Sequence, residues 1–275
     1  MGEENPKVVI VLPAYNAAKT LMRTLAEIPP AYAGHVILVD DASRDETVAV
    51  ARKAGLTVFQ HERNRGYGGN QKTCYREALA AGADIVVMLH PDHQYDASVI
   101  THLVSPIQAG EADAVFGSRM LGGRPLEGGM PRWKYVANVF LTALANIAFG
   151  RYLTEIHSGF RAYSRKYLET VRFEDNSDDF VFDTEIIAQG MACNLYFSES
   201  PIVTRYFPEA SSISFRRSVV YGCGILLVLL RYSLHKAGLW RCRQLEAKSR
   251  PDGGPERSEG CLSGSSRTQA SLRSE

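Results

Sequence analysis

Five short apolar segments constrain the fold of this chain more than any other feature of its sequence. They cover residues 8–12, 36–39, 56–59, 85–89 and 114–116, and stretches with helical periodicity separate them. A strand with one face in water alternates apolar and polar residues, whereas these segments are nearly continuous runs of Val, Ile, Leu and Phe. The pattern predicts an α/β fold with a doubly wound, mostly parallel sheet and helices on both faces.

Polar residues follow the first four segments closely. Ligands of a doubly wound sheet bind outside the carboxyl ends of its strands, so these polar residues are the candidates for a functional site. Pro13 and Gly66, which shape the same loops, are candidates as well. In chain order, all the candidates are Pro13, Tyr15, Asn16, Asp41, Asn64, Gly66, Lys72, His90, Asp92 and Gln94.

The candidates after the first two segments favour contacts with a nucleoside. Tyr15 offers an aromatic face and Asn16 an amide to a nucleobase or ribose, and a turn with an asparagine cap is an open alternative. Asp40 and Asp41 are adjacent carboxylates, which repel each other unless a ligand or hydrogen bonds compensate. We therefore assign Asp41 a contact with the base or ribose, and Asp45 the cap of the following helix.

Three glycines within residues 66–69 precede a predicted helix. Glycine lets the backbone approach a ligand closely, and a helix N-terminus favours phosphate, so Asn64, Gly66 and Lys72 join the predicted donor site. The spacing matches neither a dinucleotide-binding motif nor a P-loop. A glycine-rich turn without a ligand is the open alternative.

The fourth apolar segment runs into the motif H-P-D-H-Q at residues 90–94. Mg²⁺ and Mn²⁺ that carry phosphates need one or two carboxylates and tolerate imidazole and amide oxygen nearby, so Asp92 is the predicted metal ligand. His93 is interpreted as a residue behind the ligands. A zinc site is the weaker alternative, because the surrounding turns favour phosphate.

The second half of the chain predicts fewer elements of the sheet. Residues 117–132 form a long loop rich in glycine that is expected to act as a lid, and residues 135–149 form an apolar helix. A short element is expected within residues 161–168, and a helix over residues 183–189. Two late strands are expected over residues 195–197 and 202–206.

The C-terminal region divides into a helix and a tail. Residues 219–230 are apolar or glycine and precede a basic segment with Trp240. A run of twelve residues is too short to span a membrane, so an amphipathic helix at the membrane interface is expected, with a buried core helix as the alternative. Residues 246–275 lack aromatic residues and predict a disordered tail. The expected division is therefore 1–215, 216–245 and 246–275.

Composition limits the partners and the compartment. The net charge is +1, which gives no indication of a nucleic-acid partner. The five cysteines form no C-x-x-C pair, so a disulfide framework is not expected and a reducing cytoplasm fits best. Residues 1–7 are polar and resemble no signal peptide.

Taken together, P-A-Y-N, V-D-D-A-S-R-D-E-T, R-N-R-G-Y-G-G-N and H-P-D-H-Q resemble the inverting family 2 glycosyltransferases, whose catalytic domain has the GT-A fold. The later motifs F-G-S-R, H-S-G-F-R-A-Y and T-R-Y, with Arg132, resemble the polyprenyl-phosphate sugar transferases of the dolichol-phosphate mannose synthase group. The resemblance covers about residues 7–215. It implies nucleoside contacts by Pro13, Tyr15 and Asp41. It also implies that Asp92 and Gln94 position the metal and diphosphate, with His90 as a further candidate ligand.

The same resemblance implies that Arg119, Arg132 and Arg205 bind phosphates, including that of the acceptor, and that Asp92, Arg119 and Arg132 serve catalysis. The expected reaction is inverting transfer from GDP-mannose or a UDP-hexose to a polyprenyl phosphate at the cytoplasmic face of a membrane. Two positions depart from the family. Ala17 stands where a Glu is usual, and His90 stands at the first acidic position of the D-x-D motif.

Three alternatives stay open. A related transferase that acts on a saccharide hydroxyl would need a carboxylate base, for which Asp183 and Glu185 are candidates. A binding module for nucleotide sugars or lipids that has lost turnover fits the altered metal motif, and a nucleotidyltransferase fits only the sheet. A membrane-protein partner or a homo-oligomer is compatible with each of them.

Overall fold

The computed structural model describes residues 6–121, 125–205 and 215–248. Within these residues, seven strands form one sheet: β1 (Val8–Ala14), β2 (Val36–Asp40), β3 (Thr57–Gln60), β4 (Ile85–Met88), β5 (Ala114–Ser118), β6 (Arg161–Ser164) and β7 (Phe197–Pro201). The helices are α1 (Leu21–Ala26), α2 (Thr47–Lys53), α3 (Gly66–Ala80), α4 (Ile100–Gln108), α5 (Arg132–Phe149), α6 (Arg165–Thr170), α7 (Phe182–Ala192) and α8 (Phe215–Lys236).

The strand order is β3-β2-β1-β4-β6-β5-β7. β6 runs antiparallel to β4 and β5, and the other pairs are parallel. The five apolar segments became β1 to β5, and the predicted α/β fold with a mostly parallel sheet is confirmed. Every residue of β2, β4 and β5 is buried, which explains why these segments are continuously apolar.

Helices cover both faces of the sheet, as expected. Val9 and Val11 of β1 point to the face that packs on α3, α5, α6, α7 and α8. Ile10 and Leu12 point to the opposite face, which packs on α1, α2 and α4. Alternate residues of one strand therefore serve two separate cores.

Two predictions for the second half of the sheet are wrong. Residues 161–168 are a strand, β6, followed by a helix, α6, and not one short element. In place of the two late strands there is a single strand, β7, which begins at the last residue of the first expected segment and ends just before the second. β7 lies at the edge of the sheet and is only partly buried, so the apolar residues Leu195 and Ile202 pack beyond its ends. Thr204 forms an isolated bridge with Tyr95, and Tyr206 lies outside the described residues.

The C-terminal helix is longer than its apolar run. α8 has 22 residues, and its segment Arg217–Lys236 is long and apolar enough to cross a membrane by length and composition alone. This corrects the expectation that the segment is too short. Ile225 and Tyr232 pack in the core against α5 and α7, whereas Leu226, Leu227 and Leu230 on the opposite side are exposed. The helix therefore has a buried apolar face and an exposed apolar face.

The predicted lid and tail are described only in part. Residues 117–118 belong to β5, residues 122–124 lie outside the described residues, and α5 begins at Arg132. The first residues of the predicted tail contact the fold, since the Lys248 amide donates to the Thr170 carbonyl at 2.8 Å. Residues 249–275 lie outside the described residues.

Candidate active site

Hydrogen bonds join the loops at the carboxyl edge of the sheet. The Asp41 amide after β2 donates to the Ala14 carbonyl of β1 at 2.8 Å, and the Asn16 amide donates to Ser43 Oγ at 2.8 Å. The Thr20 hydroxyl before α1 donates to the Pro91 carbonyl after β4 at 2.6 Å. The structure thus brings together the loops that follow β1, β2 and β4, as the sequence predicts.

The backbone is strained at this same edge. Asn16, Ala42 and His93 have φ values of 54°, 59° and 59°, and among the described residues only Asn194 shares this left-handed conformation without being glycine. Such a conformation costs roughly 1–2 kcal/mol for most residues with a Cβ, as for Ala42, and less for asparagine, which adopts it more readily. Strained residues concentrate at binding and catalytic sites, and three of these four lie in the loops after β1, β2 and β4. These backbone conformations support the same edge as the candidate site.

The nucleoside candidates lie along the loop after β1. Tyr15 is half exposed, so its ring is accessible for stacking. Asn16 is exposed, but its side-chain oxygen accepts from the Arg44 amide at 2.8 Å. Asp45 accepts from the amides of Thr47, the first residue of α2, and of Ala18, both at 3.1 Å. The N-cap position of α2 is Glu46, so Asp45 holds the start of the helix from one residue earlier and also fixes the loop after β1.

Asp41 is buried and holds the start of α3. Its carboxylate accepts from the amides of Arg65 and Gly66 at 2.7 and 3.0 Å, and it contacts His61 Nδ1 at 2.8 Å. The amides of Gly68 and Gly69 donate instead to the Asp178 carbonyl at 2.8 and 3.3 Å. The amides expected to bind phosphate are therefore occupied by the protein's own oxygens.

Gly66 and Gly68 allow the backbone at the start of α3 to lie close to the backbone of Ser177 and Asp178. A Cβ on Gly68 would lie 2.3 Å from the Ser177 carbonyl oxygen, and one on Gly66, which has φ of 85°, would lie 2.6 Å from the Asp178 carbonyl oxygen. The contacts favour the alternative of a turn without a ligand at its amides.

Two further donor candidates are also held inside the fold. The buried ammonium of Lys72 contacts the Asn176 carbonyl and Asp178 Oδ1, the latter at 2.7 Å. Lys72 therefore already has a protein partner, although the Asp178 side chain is largely exposed, and its place in the donor site stays a prediction. Asn64 donates to the Asp41 carbonyl at 3.2 Å and accepts from the Gly66 amide at 3.0 Å.

The metal candidates form one short loop after β4. Asp92 and Gln94 are half-buried, and the Gln94 amide donates to Asp92 Oδ1 at 3.1 Å. Among the residues that the structure describes, no three His, Cys, Asp or Glu side chains cluster in a way that could hold a metal. One carboxylate with an amide oxygen suits Mg²⁺ or Mn²⁺ that takes its other ligands from substrate phosphates and water. The donor set therefore fits a metal that arrives with a diphosphate.

His90 lies behind this loop. Its Nε2 is 3.3 Å from the Tyr67 hydroxyl, and its ring stacks on that of Tyr67 at 5.5 Å between centroids. Burial lowers the pKa of His90, and the negative charges of Asp92 and Asp183 only partly oppose this effect. The ring is therefore neutral near pH 7 and leaves only Nδ1 for a ligand.

A buried polar network extends from Tyr67 to Arg161. Asp183 Oδ2 accepts from the Tyr67 hydroxyl at 2.9 Å, and Oδ1 accepts from Gln71 Nε2 at 3.1 Å. Arg161 Nη1 lies 3.3 Å from Asp183 Oδ1, and this arginine is almost fully buried in the middle of the sheet. Burial, and then the charge of Asp183, raise the pKa of Tyr67 well above its usual value. Tyr67 is therefore a permanent proton donor to Asp183.

The three candidate phosphate-binding arginines have different surroundings. Arg119, directly after β5, forms an ion pair with the buried Glu155. Arg205 pairs with Glu27 at 2.7 Å, and its amide donates to the Gln94 carbonyl at 2.8 Å, so it adjoins the metal loop. Arg132 is exposed at the first position of α5.

Tyr67, Glu155 and Arg161 had no predicted role. Glu155 stands between Thr154 and Ile156 in a stretch of mixed polar and apolar residues, so no local pattern marked it as buried. Buried carboxylates are rare unless they are paired, so it is the burial of Glu155 that indicates a cation nearby. No local signal exists for Tyr67 either, because its partners are distant in the sequence.

Comparison with known proteins identifies the family. The family described as glycosyl transferase family 2 matches residues 9–172. An uncharacterised protein of Methanocaldococcus jannaschii is 30% identical over 82% of this chain and 91% of its own length. The UDP-N-acetylglucosamine–dolichyl-phosphate N-acetylglucosaminyltransferase of Methanococcus voltae is 26% identical over 83% of this chain and 97% of its own length.

A solved structure shares the fold. Glucosyl-3-phosphoglycerate synthase from Mycobacterium tuberculosis, in complex with Mn²⁺, UDP and glucosyl-3-phosphoglycerate, superposes with a TM-score of 0.62. The match covers 83% of this chain and 80% of that one at 21% sequence identity.

Proposed function

The chain belongs to glycosyl transferase family 2 and has the GT-A fold, and on this premise we propose that it transfers a sugar from a nucleotide sugar to a polyprenyl phosphate. The donor is GDP-mannose or a UDP-hexose, and the anomeric carbon is inverted. Residues 1–215 are the transferase domain, residues 216–245 the helix that meets the membrane, and residues 246–275 a tail. The relative from Methanococcus voltae, named for dolichyl phosphate, supports this acceptor class.

The burial and hydrogen bonds of the two candidate bases, Asp183 and Glu185, support a phosphate as the acceptor. Asp183 is buried and already accepts from Tyr67 and Gln71 while it pairs with Arg161. Glu185 is buried and accepts from the Ser177 amide at 2.6 Å. A carboxylate held in this way is a poor base for a saccharide hydroxyl, because general base catalysis needs a group within reach of the proton it removes.

A phosphate acceptor requires no base, since its oxygen is ionised near pH 7. That oxygen attacks the anomeric carbon as the bond to the donor's diphosphate breaks, so the nucleoside diphosphate leaves with the bonding electrons. No proton has to be removed in this step. The chain's contribution is to place the two phosphates and to stabilise the charge that develops on the leaving group.

The donor lies over the loops after β1, β2 and β4. Pro13 and the exposed ring of Tyr15 hold the nucleoside, with Asn16 and Asp41 fixing the loops beneath it. Asn64 and Gly66 shape the same wall through their bonds to Asp41.

Asp92 and Gln94 would hold Mg²⁺ or Mn²⁺, with His90 as a further candidate ligand. When bound, the metal supplies positive charge beside the diphosphate. Mn²⁺ and UDP in the complex of the Mycobacterium tuberculosis synthase support a divalent ion in this fold. Arg119, Arg132 and Arg205 bind phosphates of the acceptor and the leaving group, since guanidinium groups match phosphate oxygens.

The outer faces of α5 and α8 support a membrane surface as a partner. The two helices pack against each other, and the exposed side of α5 carries Val136, Phe140 and Ile147. The exposed side of α8 carries Leu227 and Leu230. Neither helix contains Asp or Glu, so anionic lipid suits their basic residues better than a second copy of the same face. The protein is thus peripheral on the cytoplasmic face of the membrane.

Leu227→Glu is expected to weaken binding to vesicles of anionic phospholipid by about 10-fold, because it removes an exposed leucine worth roughly 1.5–3 kcal/mol in lipid. Cosedimentation with the vesicles measures this effect. Met22→Glu is the matched control, since Met22 is equally exposed but lies on α1, on the opposite face of the sheet. Equal losses in the two variants would contradict a membrane role for α8.

Sugar transfer from a panel of GDP- and UDP-sugars to a polyprenyl phosphate, in detergent with Mg²⁺ or Mn²⁺, tests the proposed function. We expect metal-dependent glycolipid and one preferred donor. Donor hydrolysis without glycolipid would indicate another acceptor, such as a saccharide hydroxyl. Donor binding without any turnover would instead support a non-catalytic module.

A further inference from the structure

We propose that Glu155 is the positioning residue for Arg119, and that it fixes the direction in which this arginine presents its charge to the acceptor phosphate. The inference rests on the proposed function for the identity of the acceptor. It assigns a role to a buried carboxylate, and it includes Asn138 of α5, which binds the same carboxylate.

Three donors of Arg119 bind the carboxylate of Glu155. Glu155 Oε2 accepts from the Arg119 amide at 2.7 Å, and Oε1 accepts from Arg119 Nε at 2.8 Å. Arg119 Nη2 also donates to Oε1. A guanidinium held along one edge, with its own backbone amide bound to the same carboxylate, is fixed in both plane and direction.

The burial of both side chains makes it costly to separate the ion pair. Glu155 is fully buried, and only 15% of the Arg119 side chain is exposed. Burial alone would raise the pKa of Glu155, but the charge and hydrogen bonds of Arg119, with the bond from Asn138, lower it below its usual value. The carboxylate is therefore ionised near pH 7. A buried negative charge needs its partner, so Arg119 cannot swing away without a large cost.

Glu155 is itself fixed by the sheet. Glu199 of β7 accepts from the amides of Thr154 and Glu155 at 2.8 and 3.1 Å. The Thr154 hydroxyl donates to Glu199 at 2.7 Å and lies 2.6 Å from the hydroxyl of Ser118 in β5. The carboxylate that holds Arg119 is thus anchored to two neighbouring strands.

Asn138 extends the arrangement to α5. Its Nδ2 donates to Glu155 Oε1 at 2.7 Å from the buried side of the helix. Glu155 therefore contacts Arg119 and, through Asn138, the helix whose first residue is Arg132. One carboxylate therefore sets the position of Arg119 and anchors the helix that carries Arg132.

Glu155→Gln tests the proposal, because it keeps the size of the side chain and places an amide N–H₂ among groups that all donate. We expect kcat/KM for the polyprenyl phosphate to fall about 10-fold, while the KM for the nucleotide sugar stays within about 2-fold. The control is Glu174→Gln, which makes the same change in the exposed ion pair with Arg76 and should leave both values unchanged.

A double-mutant cycle separates positioning from a general structural role. If Glu155 acts through Arg119, then Glu155→Gln has little further effect once Arg119→Ala is present. If Glu155 had only a general structural role, the losses in kcat/KM of the two single variants would multiply in the double variant. Multiplied losses, or a wild-type kcat/KM in Glu155→Gln, would overturn the proposal.

Two further measurements keep the test decisive. If Glu155→Gln does not fold, Asn138→Ala replaces it in the cycle, with an expected loss of about 3-fold that disappears beside Arg119→Ala. Calorimetric titration of the same proteins with farnesyl phosphate measures the coupling between Glu155 and Arg119 in binding, without turnover. If the two substitutions have independent effects on the Kd, the proposal is also overturned. Failure of the wild-type protein to form glycolipid, by contrast, contradicts the proposed function alone.

Discussion

Asp92→Asn is expected to lower kcat by about 10³-fold while the protein remains folded. Asp92 is the one carboxylate in the motif at residues 90–94, because His90 occupies the position where the family has its first acid. Loss of a single group that stabilises the charge of a transition state costs about 10² to 10³ in kcat, and no second carboxylate in this motif compensates. Initial rates over a range of Mg²⁺ and Mn²⁺ concentrations measure the effect.

The matched control lies at the other end of the same strand. Asp84 directly precedes β4 and is exposed, whereas Asp92 follows the strand at the carboxyl edge. Asp84→Asn should therefore leave kcat and the metal dependence unchanged. If Asp92→Asn retained more than about a tenth of the wild-type kcat, the assignment of Asp92 to the metal would be wrong.

Arg161→Met is expected to destabilise the fold by about 3–5 kcal/mol, since it leaves the buried carboxylate of Asp183 without its charge partner. Arg161 also donates to the carbonyls of Ser158 and Ile156 at 2.6 and 2.9 Å, so those acceptors lose a donor as well. Urea denaturation measures the free energy of unfolding. The guanidinium also packs on the ring of Phe116, which the methionine can still contact.

A surface arginine and a double variant serve as controls for this prediction. Arg165→Met removes a partly exposed pair with Glu169 four residues along α6 and a bond to the Leu79 carbonyl, and it should cost only about 1 kcal/mol. Arg161→Met with Asp183→Asn should cost less than the sum of the two single changes, because neither charge is then buried alone. Additive losses would contradict the ion pair as the source of the stability.

Sequence-based prediction succeeded where a single segment carries the whole signal. β1, β2 and β4 are continuous apolar runs, and a run of that composition is stable only when both of its faces are buried. The polar loops after these strands follow from the same rule, so the edge that holds Tyr15, Asp41 and Asp92 could be located without coordinates.

It failed where the environment of a side chain comes from distant parts of the chain. β6 has only four residues, and two of them, Arg161 and Ser164, are not typical of a buried strand. Its place between β4 and β5 follows from pairing with both neighbours, which no local pattern records. The apolar residues that were predicted to lie in two late strands flank β7 instead, because the position of β7 is also set by pairing with its neighbour in the sheet.

The sequence by itself determined the class of the fold, the edge that carries the site and the family resemblance, because these depend on local composition and on the order of motifs. Only the tertiary structure decided what each polar group does. The glycines before α3 accommodate the backbone of Ser177 and Asp178, and Glu155 holds Arg119 from 36 residues away. Burial and hydrogen-bond partners are properties of the packed chain, and the same residue types are compatible with a ligand or with the protein itself.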